Sequence, residues 1–183
     1  NVTVAYKRAP EKEDTVGDYR RSLVRSLGLQ MLNARLAEIA RQPSAPFVSA
    51  DAGSSGIGRH LALFELSADV QAGGLAAGLE AVVKEARRAQ QFGFTAAELD
   101  RAKLALLAGY EREFNNRNTA ESPGLANELV RHFLSGEPAP GIVYENQLAR
   151  AFVPGVTTDE VSALVRGLMR EDGRVVLGVA PST

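Results

Sequence analysis

Two histidines, His60 and His132, are the only imidazoles in the chain, and there is no cysteine. A helix-borne peptidase zinc site takes two imidazoles three or four residues apart on one helix, a carboxylate, and an open position for water. His60 and His132 lie far apart, and neither sits in His-x-x-Glu-His or His-Glu-x-x-His, so no zinc site is expected from this chain alone. His60 reads as the end of a strand, and His132 as the edge of a helical Leu129/Phe133 face. Ser54 and Ser55 fall in the run Gly53-Ser54-Ser55-Gly56-Ile57-Gly58-Arg59. A serine nucleophile needs a base and a strained turn such as Gly-x-Ser-x-Gly, which does not occur. Gly53 and Gly58 have the spacing of a phosphate loop. Such a loop, however, continues with Lys and Ser or Thr and opens a helix whose amides face the phosphate. Here Arg59, His60 and a strand-like alternation follow, so Gly53 to Gly58 is expected to be a flexible hairpin loop. Glu98 and Glu160 are positioned as helix caps, and Glu111 and Glu113 fall on a solvated helix side, which leaves no carboxylate pair for acid–base work. The residues themselves predict no catalytic, no cofactor-binding and no metal-ligating side chain.

The absence of chemistry contrasts with a composition made for folding. At 183 residues, 45% hydrophobic and 23% charged, the chain has the length of one domain spanning 1–183, able to bury roughly 70% of its unfolded surface. Without cysteine it forms no disulfide and no thiolate site, which fits a reducing or an oxidising compartment. A net charge of -1 gives no basic field for a polyanion, so nucleic acid is not an expected partner. No apolar run reaches the ~20 residues that cross a bilayer, so no membrane partner is expected either. The excess of Arg over Lys and the abundant Ala hint at a GC-rich bacterial source. The sequence opens on Asn1 and passes directly into alternating Val2, Val4 and Tyr6, which reads as a piece excised from a longer polypeptide.

The elements that would position any site follow from periodicity. After the opening strand and a charged bend at Glu11 to Asp14, Tyr19, Leu23, Leu27, Leu32, Leu36 and Ile39 mark a helix that ends before Pro43. Phe47 to Ala50 and His60 to Leu66 read as a strand pair. From Leu75 the helical period returns through Leu79, Val82, Val83 and Ala86, and Gly93 is placed to close it with a left-handed residue. The opposite side, with Lys84, Glu85, Arg87 and Arg88, reads as a solvated face, or as a contact surface for a neighbouring domain. Thr95 and Glu98 form a capping box, with Phe94 and Leu99 as its hydrophobic staple. Leu99, Lys103, Leu106, Tyr110 and Phe114 then share a side. Ser122 and Pro123 begin a further helix that is expected to bury Leu125, Leu129 and Phe133. A shorter helix covers Val143 to Phe152, a second box and staple stands at Thr157, Glu160, Val156 and Val161, and Val175 to Ala180 is a last strand. This order predicts an α+β fold of two layers, a mainly antiparallel or mixed sheet with helices packed on one face.

The segment FGFTAAELDRAKLALLAGYER, Phe92 to Arg112, resembles the helix-turn-helix of the second domain in pitrilysin/insulinase-type zinc metallopeptidases. The DYRRSLVRSLGLQMLNARLAEIAR helix, the PFVSA strand and the VTTDEV helix start occur in the order found in that family's inactive domain, so the resemblance covers nearly the whole chain. It implies a parent zinc metalloendopeptidase in which an upstream catalytic domain holds zinc in His-x-x-Glu-His and a second peptidase half helps close a chamber around a peptide substrate. This chain would be a non-catalytic domain supporting the catalytic one and lining that chamber, with zinc in the parent and none here. Export to the periplasm follows by family analogy alone. The resemblance also admits a structural core subunit of the same fold, which an intact or missing upstream His-x-x-Glu-His would separate from a peptidase. From the residues alone, a binding module built on the Gly53 to Gly58 loop stays open.

Overall fold

The computed structural model describes residues 1–57, 60–119, 122–170 and 173–180, with the backbone alone at Ser135. In chain order the elements are β1 (Val2–Arg8), α1 (Val16–Ala40), β2 (Ser49–Ile57), β3 (Leu61–Asp69), α2 (Leu75–Phe92), α3 (Ala96–Asn116), α4 (Ser122–Ser135), α5 (Ile142–Phe152), α6 (Thr158–Leu168) and β4 (Arg174–Gly178). Short 3-10 turns follow α3 and α5. The four strands form one sheet in the order β2-β3-β1-β4, each pair antiparallel. Helices cover the face bearing Val2, Val4, Tyr6, Phe64, Leu66 and Ala68, all buried. The α+β architecture read from the sequence is the one observed.

Strand alternation explains which face is covered. With a side-chain period of two, Val2, Val4 and Tyr6 turn inward while Thr3, Ala5 and Lys7 turn outward. The β2–β3 hairpin keeps register from Ser49↔Asp69 to Ile57↔Leu61. The expected Gly53 to Gly58 loop is therefore corrected: Gly53 to Ile57 are strand, and Gly58 and Arg59 lie outside the described residues. Glycine is a weak strand former, but here pairing with a well-buried β3 decides the conformation. The free edge of β2 is tied to α1, where the Asn33 amide donates to the Ala52 carbonyl at 3.0 Å and accepts from the Ala52 N–H at 2.6 Å.

In the helical layer α1 is the central element. Thr15 and Asp18 form a capping box that starts it, and Leu23, Leu27, Met31, Leu32 and Leu36 bury one side. At Gly28, α6 passes so close that an added Cβ would sit 2.6 Å from Val165 Cγ2 and 3.2 Å from Val161 Cγ1. The Thr95/Glu98 box and its buried staple Phe94 and Leu99 are present. At Gly93 φ is +67° as expected for a helix-closing glycine, though ψ is -150°, outside the left-handed helical region. The start of α6 realises half of its expected box. Thr157 accepts from the Glu160 N–H at 3.2 Å, while the Glu160 carboxylate forks onto the Arg20 guanidinium of α1.

One arginine ties three of these segments. Arg35, on α1, donates to both oxygens of Glu98 at 2.5 and 3.0 Å, to the Gly93 carbonyl at 3.0 Å, and to Glu85 of α2 at 3.4 Å. Its guanidinium also lies 4.8 Å from the Phe94 ring centroid. Glu85 is thus buried at 6% exposure, which corrects its assignment to a solvated face: its carboxylate reaches the α1 cation across the helix packing. Arg35 and then the Thr95 donors hold the Glu98 carboxyl at a pKa of about 2.

A second correction concerns α4. Leu125, Leu129 and Phe133, expected to be buried, are 53%, 63% and 82% exposed. Their spacing does give one apolar helical side, but among the described residues no helix or strand packs closely along it.

Two outcomes test this packing. Gly28→Leu, forced against Val161 and Val165, is expected to lower stability by about 1–3 kcal/mol, read as a lower urea midpoint at an unchanged slope. Glu98 has a folded pKa below its ordinary 4.5, so its stabilisation is complete above that value and drains away as pH falls toward 2. Glu98→Gln should therefore lose about 2 kcal/mol at neutral pH and show a flatter acid limb in denaturation across that window.

Candidate functional site

Helices α3, α4 and α5 stand apart around an open cleft of about 870 Å³. Gly109, Arg112, Glu113 and Asn116 of α3 share one side by their three- and four-residue spacing and make one wall. Gly124, Leu125 and Glu128 of α4 make the opposite wall. Gly141, at φ +80°, turns the chain into α5 and brings Ile142, Val143 and Glu145 to the floor. That floor is fixed from below by a small second core in which Leu23, Ala149 and Val153 are buried and Tyr19 and Tyr110 pack against them. The two tyrosine hydroxyls are 3.1 Å apart.

The cleft is apolar within, and its rim carries three carboxylates, Glu113, Glu128 and Glu145, and two guanidiniums, Arg112 and Arg117. Burial, followed by repulsion from Glu128, Glu113 and Glu137, raises the pKa of the Glu145 carboxyl. Of the two arginines on the wall, Arg112 holds its guanidinium beside Gly109, 4.0 Å from where a Cβ there would stand, and Arg117 is folded back over the Phe114 ring at 4.2 Å and donates to the Phe114 carbonyl at 2.6 Å. Arg150 is engaged outside the cleft by Glu111 at 3.2 Å. The described lining offers apolar side chains, carboxylates and guanidiniums, groups that can hold a ligand by apolar contact and by charge.

The uncovered face of the sheet carries a second polar group. Asp51, Glu65 and Asp69 stand there among Ser49, Ser55, Ser67 and Thr3. Ser55 donates to Glu65 at 2.7 Å, Ser49 donates to Asp69 at 3.1 Å, and the Thr3 and Ser67 hydroxyls are 3.1 Å apart. Burial, then Asp69 and Glu65, raises the Asp51 pKa. Ser54 and Ser55 are therefore strand residues, with Ser55 bonded to a carboxylate.

His60 lies in the turn before β3 and lines a separate cleft of about 800 Å³ with the 136–138 segment. His132 lies on the exposed α4, its Nδ1 2.7 Å from the Glu137 carbonyl. The carbonyl can only accept, so Nδ1 carries the proton. Among the described residues, no three His, Asp or Glu side chains converge as a metal-ligand set, and the two imidazoles stand on different elements, a turn and a helix. Glu111 and Glu113 are exposed, as the helical spacing predicts. Among the described residues, no helix is long and apolar enough to cross a membrane.

The sequence reading did not single out Gly109, Glu128, Ile142 or Glu145. The available signal was glycine itself: Gly109 sits inside α3 at a cost of about 1 kcal/mol relative to alanine, and an added Cβ would meet only Arg112 there, at 4.0 Å. At Gly124 a Cβ would meet nothing within 4 Å.

No protein-family model matches the chain. A protein of Arabidopsis thaliana described as a zinc protease PQQL-like is 27% identical over 182 residues, all of this chain and 16% of that relative. Among solved structures, the first half of the periplasmic protease PqqL from Escherichia coli superposes with a TM-score of 0.86 at 16% identity, over 96% of this chain and 38% of that one. The peptidase M16 inactive domain from Pseudomonas fluorescens gives 0.64 at 20% identity, over 96% of this chain and 40% of that one. The chain thus spans well under half the length of each of these relatives. In sequence and in fold it is similar to the pitrilysin/insulinase-type zinc metallopeptidases, their inactive domains included.

Proposed function

We propose that this chain is a non-catalytic domain of a zinc-dependent metalloendopeptidase, which supports a catalytic domain and lines a peptide-binding chamber. The observation that carries the reading is a likeness over the whole chain to a zinc protease of which it spans only 16%, joined to a fold shared with an inactive peptidase domain. The 183 residues offer His60 and His132 but no His-x-x-Glu-His, and in this reading the zinc ligands and the general base are supplied by another part of the parent. The helical layer is the supporting element in this reading, and the open sheet face and the α3–α5 cleft are its peptide-facing surfaces. A periplasmic location rests on the likeness to the Escherichia coli protease.

Supplying the 183-residue chain in trans to the remainder of the parent polypeptide tests this role. Zinc-dependent peptide cleavage is expected only when both are present, falling at least about tenfold without the chain, as when reacting groups lose their positioning. Full cleavage by the remainder alone would remove the supporting role.

A further inference from the structure

We infer that the cleft between α3, α4 and α5 is a docking site for a polypeptide segment in which a lysine or arginine is flanked by apolar side chains. The inference deepens the reading above and rests on it for the class of ligand.

Shape and charge both lead to that occupant. The walls carry Leu125, Ile142 and Val143, and glycines at 109 and 124 leave the flanks open. Beyond the mouth the apolar side of α4 continues through Leu129 and Phe133, both exposed. A ligand with apolar residues on both sides of its contact can therefore cover wall and stripe together. Between them the rim presents three carboxylates, Glu113, Glu128 and Glu145, and on the α3 wall the Arg112 guanidinium. The groups acting electrostatically on Glu145 are all carboxylates, and Arg117 is already committed to the Phe114 ring and carbonyl. A cation placed between Glu128 and Glu145 reverses that repulsion, and its alkyl stem lies against Leu125 and Val143. The same rim disfavours an anionic lipid surface or a nucleic acid.

The test uses fluorescence anisotropy on the full 183-residue chain with two labelled probes, a nonapeptide alternating leucine with lysine and its counterpart with glutamate for lysine. Saturable binding of the lysine peptide alone is expected, weakening as salt rises. The double variant Glu128→Gln/Glu145→Gln should weaken it about fivefold, the scale of two rim charges, and Leu125→Ser should weaken it as well. Glu111→Gln, which breaks only the pair with Arg150 outside the cleft, should leave it unchanged, with circular dichroism verifying the fold of each variant. The assignment is overturned by equal affinity for both peptides, by no binding, by indifference to the Glu128/Glu145 change, or by self-association that alone accounts for the signal. If peptide docking fails while the chain still restores cleavage in trans, the cleft assignment falls and the supporting role stands.

Discussion

Much of the helical layer depends on where the charge of Arg35 is satisfied. A guanidinium that is mostly withdrawn from water needs several acceptors, and no single element can provide them. Its fork receives Glu98 at the start of α3, the Gly93 carbonyl at the end of α2, and Glu85 from the body of α2. The α2–α3 turn is thus held against α1 at a defined angle. Gly93 has no side chain because Ser162 of α6 fills that space, with its Oγ 3.3 Å from the Phe94 amide as its acceptor. Removing one partner from such a set costs more than the net value of the pair, since the remaining charge is left desolvated. Arg20 repeats the device at the other end of the layer by taking Glu160 from α6.

With that layer fixed, the two exposed polar regions differ in kind. The sheet face is well bonded: its strands are paired, its β2 edge is tied by Asn33, and its hydroxyls and carboxylates bond one another. The cleft owes its floor to the Tyr19–Tyr110 core but its outer wall to α4, a helix with its apolar side uncovered. The supporting role proposed above would use both, the bonded framework to hold a shape and the apolar surface to meet a partner. Apolar side chains left exposed in series on a helix are a familiar mark of interaction surfaces.

What the sequence made legible was local. Thr95 and Glu98 announce a helix start through backbone bonds that need no distant partner, and they form as read. The alternation at Val2, Val4 and Tyr6 gives the covered face because a strand has only two sides. The readings that failed each depended on something far along the chain. Gly53 to Ile57 became strand because β3 pairs with them, Glu85 became buried because Arg35 reaches it, and Leu129 and Phe133 stayed exposed because, among the described residues, no helix or strand packs closely along α4. Periodicity shows which side of a helix is apolar without showing what covers it. The cleft was invisible for a related reason: Gly109, Leu125 and Glu145 come together only through the crossing of three helices, and none belongs to a catalytic motif.

The central claim is that this fold carries no peptidase chemistry of its own. Metal content by mass spectrometry on the purified 183-residue chain, run beside a peptide-cleavage assay with added zinc, addresses it most directly. The account predicts neither stoichiometric zinc nor cleavage. Tight zinc together with zinc-dependent cleavage would contradict it, since His60 and His132 would then have to meet around an ion.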